Sequence, residues 1–136
     1  MAVFVDTSAF YDLLDPDTVN HAAAQRAVAE LHQHGEALVT HQYVVMETFT
    51  LLQRRIGLEA ARRFDEHVLA PVEIIWVDRE LHEEARSTLL AVGRRGLSLV
   101  DWTSFLVMRR NGITRAFAFD ADFAAQGFEV IPAMGA

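Results

Sequence analysis

An α/β domain built on a central, mainly parallel sheet of about five strands is the fold class this chain predicts, on three observations. Short β-type apolar runs alternate with longer helical stretches across all 136 residues. Several of those runs are continuously apolar rather than alternating, as strands covered on both faces are. The connections are long enough to cross over a sheet, and no internal repeat, low-complexity tract or linker divides the chain, so residues 1–136 are expected to form a single domain.

The elements follow in order. Val3-Phe4-Val5 reads as the first strand, Ala37-Leu38-Val39 as the second and the run from Val72 to Val77 as the third. Ala116-Phe117-Ala118-Phe119 reads as the fourth and Glu129-Val130-Ile131 as a short fifth. Helices are predicted over 7–14, 20–34, 41–55, 58–69, 78–93 and 99–110. Asn20, Asp78 and Ser98 stand where N-caps belong, and Gly35, Gly57, Gly96 and Gly112 where a left-handed residue ends a helix. Trp76, Trp102 and Met46 are expected in the core. In an open parallel sheet a ligand binds at the carboxyl ends of the strands.

Composition narrows the function. The chain has no cysteine, which excludes a disulfide framework, a thiolate zinc site and a cysteine nucleophile. All 12 basic residues are arginine, so a P-loop phosphate clamp and lysine Schiff-base chemistry are excluded too. The same lack of lysine argues against a receiver-like or phosphatase domain with aspartates at strand ends. A formal net charge of −7 speaks against a broad basic face for nucleic acid, but not against a metal-loaded carboxylate site, where the cation reverses the local sign. The first strand is expected almost at Met1 with no leader ahead of it, and no apolar run reaches membrane-spanning length. A soluble, cytoplasmic protein is therefore expected.

Four acids, Asp6, Glu47, Asp101 and Asp120, lie in short apolar contexts where a lone carboxylate is costly unless paired or metal-bound. Asp6 directly follows the first strand and Asp120 the fourth, so parallel neighbouring strands would project both from one rim. Each also fits a plain helix cap, as Asp78 does after the third strand. Glu47 sits in mid-helix among apolar and β-branched neighbours, either as a satisfied core carboxylate or as a site residue. Ser98-Leu99-Val100-Asp101 fits a capping box, which is compatible with a metal role because both put the carboxylate at a helix N-terminus. Asp122 either adds a ligand or solvates its loop. With only oxygen donors and no histidine cluster, a shared Mg²⁺ or Mn²⁺ is favoured over zinc or copper.

The segment Val3-Phe4-Val5-Asp6-Thr7-Ser8-Ala9-Phe10 resembles the start of PIN domains, a strand ending in aspartate followed by Thr or Ser. Glu47 in the helix after the second strand, Leu97-Ser98-Leu99-Val100-Asp101, and Ala118-Phe119-Asp120-Ala121-Asp122-Phe123 resemble the later acidic blocks in the expected order. Gln126-Gly127-Phe128 resembles the family's ending. The resemblance covers nearly the whole chain. It implies a three-layer α/β/α sandwich and a metal-dependent ribonuclease close in size to VapC-type toxins of toxin–antitoxin pairs.

On that resemblance Asp6, Glu47, Asp101 and Asp120 carry over as catalytic and metal-binding residues, with Asp122 an accessory candidate. Thr7 or Ser8 would orient a metal-bound water or ligand, and cleavage would leave a 5′-phosphate and a 3′-hydroxyl. The implied partners are an RNA substrate, a cognate antitoxin and a second copy of the chain. Ala121 and Ala124 depart from the pattern, leaving the fourth block without its frequent basic residue. The rival readings are a non-catalytic PIN-like interaction module and a PIN ribonuclease outside any toxin–antitoxin system. Arg pairs at 54/55, 62/63, 94/95 and 109/110 are either phosphate contacts or, for the three pairs just before predicted helix-ending glycines, cations placed at helix C-termini. The 6 histidines are dispersed and mostly expected at the surface.

Overall fold

A computed structural model describes residues 1–133. Its five strands are β1 (Ala2–Val5), β2 (Ala37–Thr40), β3 (Glu73–Ile74), β4 (Arg115–Phe117) and β5 (Glu129–Ile131). All pair in parallel, in the order β3-β2-β1-β4-β5. The helices are α1 (Thr7–Leu14), α2 (His21–Gln33), α3 (Gln42–Arg55), α4 (Leu58–Arg63), α5 (Arg79–Val92), α6 (Leu99–Arg110) and α7 (Asp122–Ala125). The order places β2 on one side of β1 and β4 on the other. The chain therefore reverses its direction of winding at β1, the place where open α/β sheets leave a crevice beyond their strand ends.

Val3, Phe4 and Val5 of β1 are buried, as a central strand covered on both faces requires. Two aromatic clusters fill the helix–sheet layers. Phe10 of α1 and Phe49 of α3 meet Phe64 edge-on at 5.0 and 5.2 Å. Phe105 of α6 meets Phe123 of α7 at 5.1 Å, and Phe123 meets Phe4 at 6.0 Å. Each such ring removes a large apolar area from water. Helices pack on both faces of the sheet in an α/β/α arrangement.

Several expected boundaries shift. The third strand spans only Glu73–Ile74, not 72–77. It is an edge strand, and beyond it the Gln42 side chain takes the place of a neighbour: its amide donates to the Val77 carbonyl at 3.0 Å and accepts from the Val77 N–H at 2.7 Å. Trp76, expected in the core, is 69% exposed on that edge, and Met46 is 62% exposed on α3, whereas Trp102 is buried as expected. The helix predicted over 58–69 is α4 followed by a π-helical turn at Phe64–Val68, closed by the Leu69 N–H on the Phe64 carbonyl at 2.8 Å. Gly93, at φ 65°, ends α5, and Gly96, the expected cap, does not. Asn20 precedes α2 without capping it; its side chain donates to Asp12 at 3.1 Å instead. The fourth strand stops at Phe117, and the short α7, not anticipated, follows it.

Candidate metal centre

The site stands at the carboxyl ends of β1 and β4, on either side of the switch point. The Asp6 N–H donates to the Phe117 carbonyl at 3.0 Å, which carries the parallel ladder one residue past β1 and sets Asp6 beside the loop bearing Asp120. Asp6 is the N-cap of α1: its Oδ2 accepts from the Ser8 N–H at 3.2 Å and from the Ser8 hydroxyl at 2.7 Å. Ser8 Oγ in turn accepts from the Phe119 N–H at 3.0 Å. Asp120 Oδ1 accepts from the Asp122 N–H at 3.0 Å, folding the loop into the start of α7.

Asp101 arrives from α6. The capping box is complete: the Asp101 N–H donates to Ser98 Oγ at 3.1 Å, and the Ser98 N–H donates back to the Asp101 carboxylate at 2.9 Å. Capping and clustering coexist, as the sequence allowed. Asp78 has the same local pattern, accepting from the Leu81 N–H at 2.8 Å, but it is exposed and remains a cap.

The electrostatics separate Asp6 from an ordinary cap. Asp6 is only 4% exposed. Burial first, then the neighbouring Asp120 and Asp101 charges, push its carboxyl up to about 7 against the two Ser8 hydrogen bonds. Burial also raises the Asp120 carboxyl above the usual range, opposed by the Asp122 N–H and reinforced by the charges of Asp122 and Asp101. Asp101 is raised by burial and by Asp122, against its hydrogen bonds to Ser98. Asp6 thus stands within reach of the Asp120 and Asp101 charges, Asp101 within reach of Asp122, and Asp120 within reach of Asp122 and Asp101. Among the described residues, none of the four forms an ion pair with an arginine, a histidine or the amino terminus.

Glu47 does not join them in the same way. It is half-buried on α3, one turn after Tyr43, which lines a recess of about 210 Å³ with Met46, His82, Leu99 and Val100. The recess therefore runs between the residue before Glu47 and the residue before Asp101. Among the described residues no three acidic or histidine side chains stand as a ready-made metal cage. The donor set nevertheless fits a hard cation: carboxylate oxygens, none of them in an ion pair among the described residues. Thr7 Oγ1 is buried without a hydrogen-bond partner beside Asp6, leaving one further oxygen donor unused.

A buried histidine was not foreseen from the sequence. His41 is fully buried, whereas the other five histidines are exposed or half-buried, as expected for most of them. It caps α3 through Nδ1, and burial pushes its imidazole down to about 3, so it stays neutral. Its position between a strand and a helix start was the available signal, but histidine is an uncommon cap. Three arginines of the 54/55 and 109/110 pairs are engaged structurally. Arg55 lies over the Tyr11 ring at 5.2 Å, Arg109 over Phe128 at 5.3 Å and against Gln126 at 2.9 Å, and Arg110 pairs with Glu84.

Comparison with known proteins identifies the family and the fold. The chain matches the PIN domain family over residues 3–129. It is 40% identical over 132 residues to a 23S rRNA-specific endonuclease, VapC20 of Mycobacterium tuberculosis, covering 96% of this chain and 98% of that protein. The crystal structure of M. tuberculosis VapC20, described as a sarcin–ricin loop cleaving toxin, superposes with a TM-score of 0.82 at 38% identity, over 93% of this chain and 95% of that one. VapBC2 of Rickettsia felis, bound to a promoter DNA fragment, shares the fold at a TM-score of 0.71 and 12% identity, over 96% and 97% of the two chains.

Proposed function

The chain belongs to the PIN-domain family, and from that premise we propose that it is a Mg²⁺- or Mn²⁺-dependent endoribonuclease, the toxin of a type II toxin–antitoxin pair. The observation that supports this reading is the burial of Asp6 at the end of β1 within reach of the Asp120 and Asp101 charges, with none of the three in an ion pair among the described residues. A bound divalent cation would supply water activation and charge neutralisation at the scissile phosphate.

The chain's own residues have distinct tasks. Asp6 and Asp101 are the principal ligands, each held at a helix N-terminus by hydrogen bonds that leave carboxylate lone pairs free. Asp120 and Glu47 complete the set directly or through water, with Asp122 as an accessory acid. Ser8 fixes the rotamer of Asp6, and the free hydroxyl of Thr7 is available to orient a water or a ligand. Hydrolysis would leave a 5′-phosphate and a 3′-hydroxyl. RNA is the substrate class, and 23S rRNA is the first candidate because the relative that shares 40% of this sequence is named for it. A cognate antitoxin, a homodimer, a cytoplasmic location and a single domain over 1–136 belong to the same reading.

The test is cleavage of RNA by the purified chain with Mn²⁺, with excess EDTA, and with Asp6→Asn. Full activity in EDTA or in the variant would overturn the proposal. A second reading, a non-catalytic PIN-like interaction module, is favoured by one observation: no three acids stand in a finished cage among the described residues. Absence of any thermal stabilisation by Mn²⁺ or Mg²⁺ would select it.

A further inference from the structure

We infer that His41 and Ser104 form a positioning tie, in which the imidazole and the hydroxyl together set how far Glu47 on α3 stands from Asp101 on α6. The inference rests on the metal-dependent nuclease reading and adds to it two residues that carry no charge and touch no substrate.

The hydrogen bonds admit one proton arrangement. His41 Nδ1 faces the N–H groups of Tyr43 at 3.2 Å and Val44 at 3.4 Å, so it must be the acceptor. The ring proton then lies on Nε2 and is donated to Ser104 Oγ at 2.8 Å. Ser104 passes its own proton to the Val100 carbonyl at 2.9 Å. Both side chains are fully buried, and Phe4 and Tyr43 flank the ring at 5.6 and 5.7 Å, which leaves the imidazole no alternative rotamer without a lost bond.

A cap alone does not explain the histidine. Ser, Asp or Asn at position 41 would satisfy the first turn of α3 as well, but none reaches across to a second helix. The imidazole does both, with one nitrogen for each. Ser104 follows Asp101 by three residues and therefore shares its side of α6. Just ahead, the Thr40 hydroxyl donates to the Val5 carbonyl at 2.9 Å, fixing the end of β2 against the residue before Asp6. Two consecutive side chains thus hold the three acid-bearing elements, the start of α1, α3 and α6, to one another.

The experiment compares wild type, Ser104→Ala and Ser104→Thr. Each is assayed for RNA cleavage with Mn²⁺ and, without RNA, for the Mn²⁺ concentration at half-maximal thermal stabilisation. Ser104→Ala should lower kcat by about tenfold or more, leave KM for RNA within about twofold, and raise the Mn²⁺ midpoint several-fold, the scale on which a small misplacement of a site residue costs rate. Ser104→Thr, which keeps the hydroxyl, should recover most of the loss. If Ser104→Ala fails to fold, Ser104→Cys, with a weaker acceptor of similar size, is read in its place. Unchanged kcat and Mn²⁺ midpoint in a folded variant, or a loss confined to KM, would overturn the tie while leaving the nuclease reading intact. A wild-type chain that neither binds Mn²⁺ nor cleaves RNA would overturn both.

Discussion

Ser8 donates its hydroxyl to the Asp6 carboxylate at 2.7 Å while accepting the Phe119 N–H at 3.0 Å, so one small side chain joins the end of β1 to the loop after β4. Removing it leaves a backbone donor unpaired and withdraws a hydrogen bond that favours ionised Asp6. Ser8→Ala should therefore cost about 1 kcal/mol of stability, the scale of a lost hydrogen bond at a part-buried site. It should also weaken metal binding. Urea unfolding and Mn²⁺ thermal titration of the variant check the two effects; wild-type values in both would mean that the serine is incidental.

The raised Asp6 carboxyl makes stability depend on pH in a defined direction. The folded state holds this proton up to about 7, whereas the unfolded chain releases it near 3.8. Between those values the unfolded state binds fewer protons, so stability falls as pH rises. In EDTA the thermal midpoint should decline between about pH 4 and pH 7 from this contribution, and Asp6→Asn should flatten that part of the curve. Saturating Mn²⁺ should restore stability most at neutral pH, where the carboxylates are free to bind it. An Asp6→Asn profile that parallels wild type would show that the charge cluster is not the source.

Much of this was legible because it depends on local chemistry. An aspartate directly after an apolar run, or three residues after a serine, announces a cap, and the strands on which Asp6 and Asp120 ride are continuous apolar runs. Whether a cap is also a site depends on neighbours from distant elements. Asp6 and Asp78 have the same local grammar, yet only Asp6 stands beside a second strand that ends in acid. His41 was hidden for the same reason, since Ser104 lies 63 residues away. The brief α7 follows no helical period, being held by the Asp120 turn and by Phe123 in the core.

The two tryptophans show where apolar content misleads, because β3 ends the sheet and leaves Trp76 outside. Trp102 is 6% exposed and packs edge-on against Phe105 at 5.5 Å. Trp102→Ala should cost about 3–5 kcal/mol, as for other large core truncations. Trp76→Ala should stay within about 0.5 kcal/mol in the monomer. Denaturant midpoints at low protein concentration separate them, and equal losses would place Trp76 in the core after all.

Glu47 supplies the sharpest division of labour within the proposed centre. It is half-buried on α3, a different element from those that carry Asp6, Asp101 and Asp120. The proposed role of Glu47 is to act through a water or at the edge of the ligand shell. Glu47→Gln should then reduce cleavage by about 10–100-fold, as loss of an outer partner does. It should keep most of the Mn²⁺-induced rise in thermal midpoint, whereas Asp6→Asn should abolish cleavage and most of that rise. Side-by-side thermal titrations with and without Mn²⁺ decide the matter: a Glu47→Gln variant as unresponsive to metal as Asp6→Asn would make Glu47 a principal ligand and require α3 to move inward when metal binds.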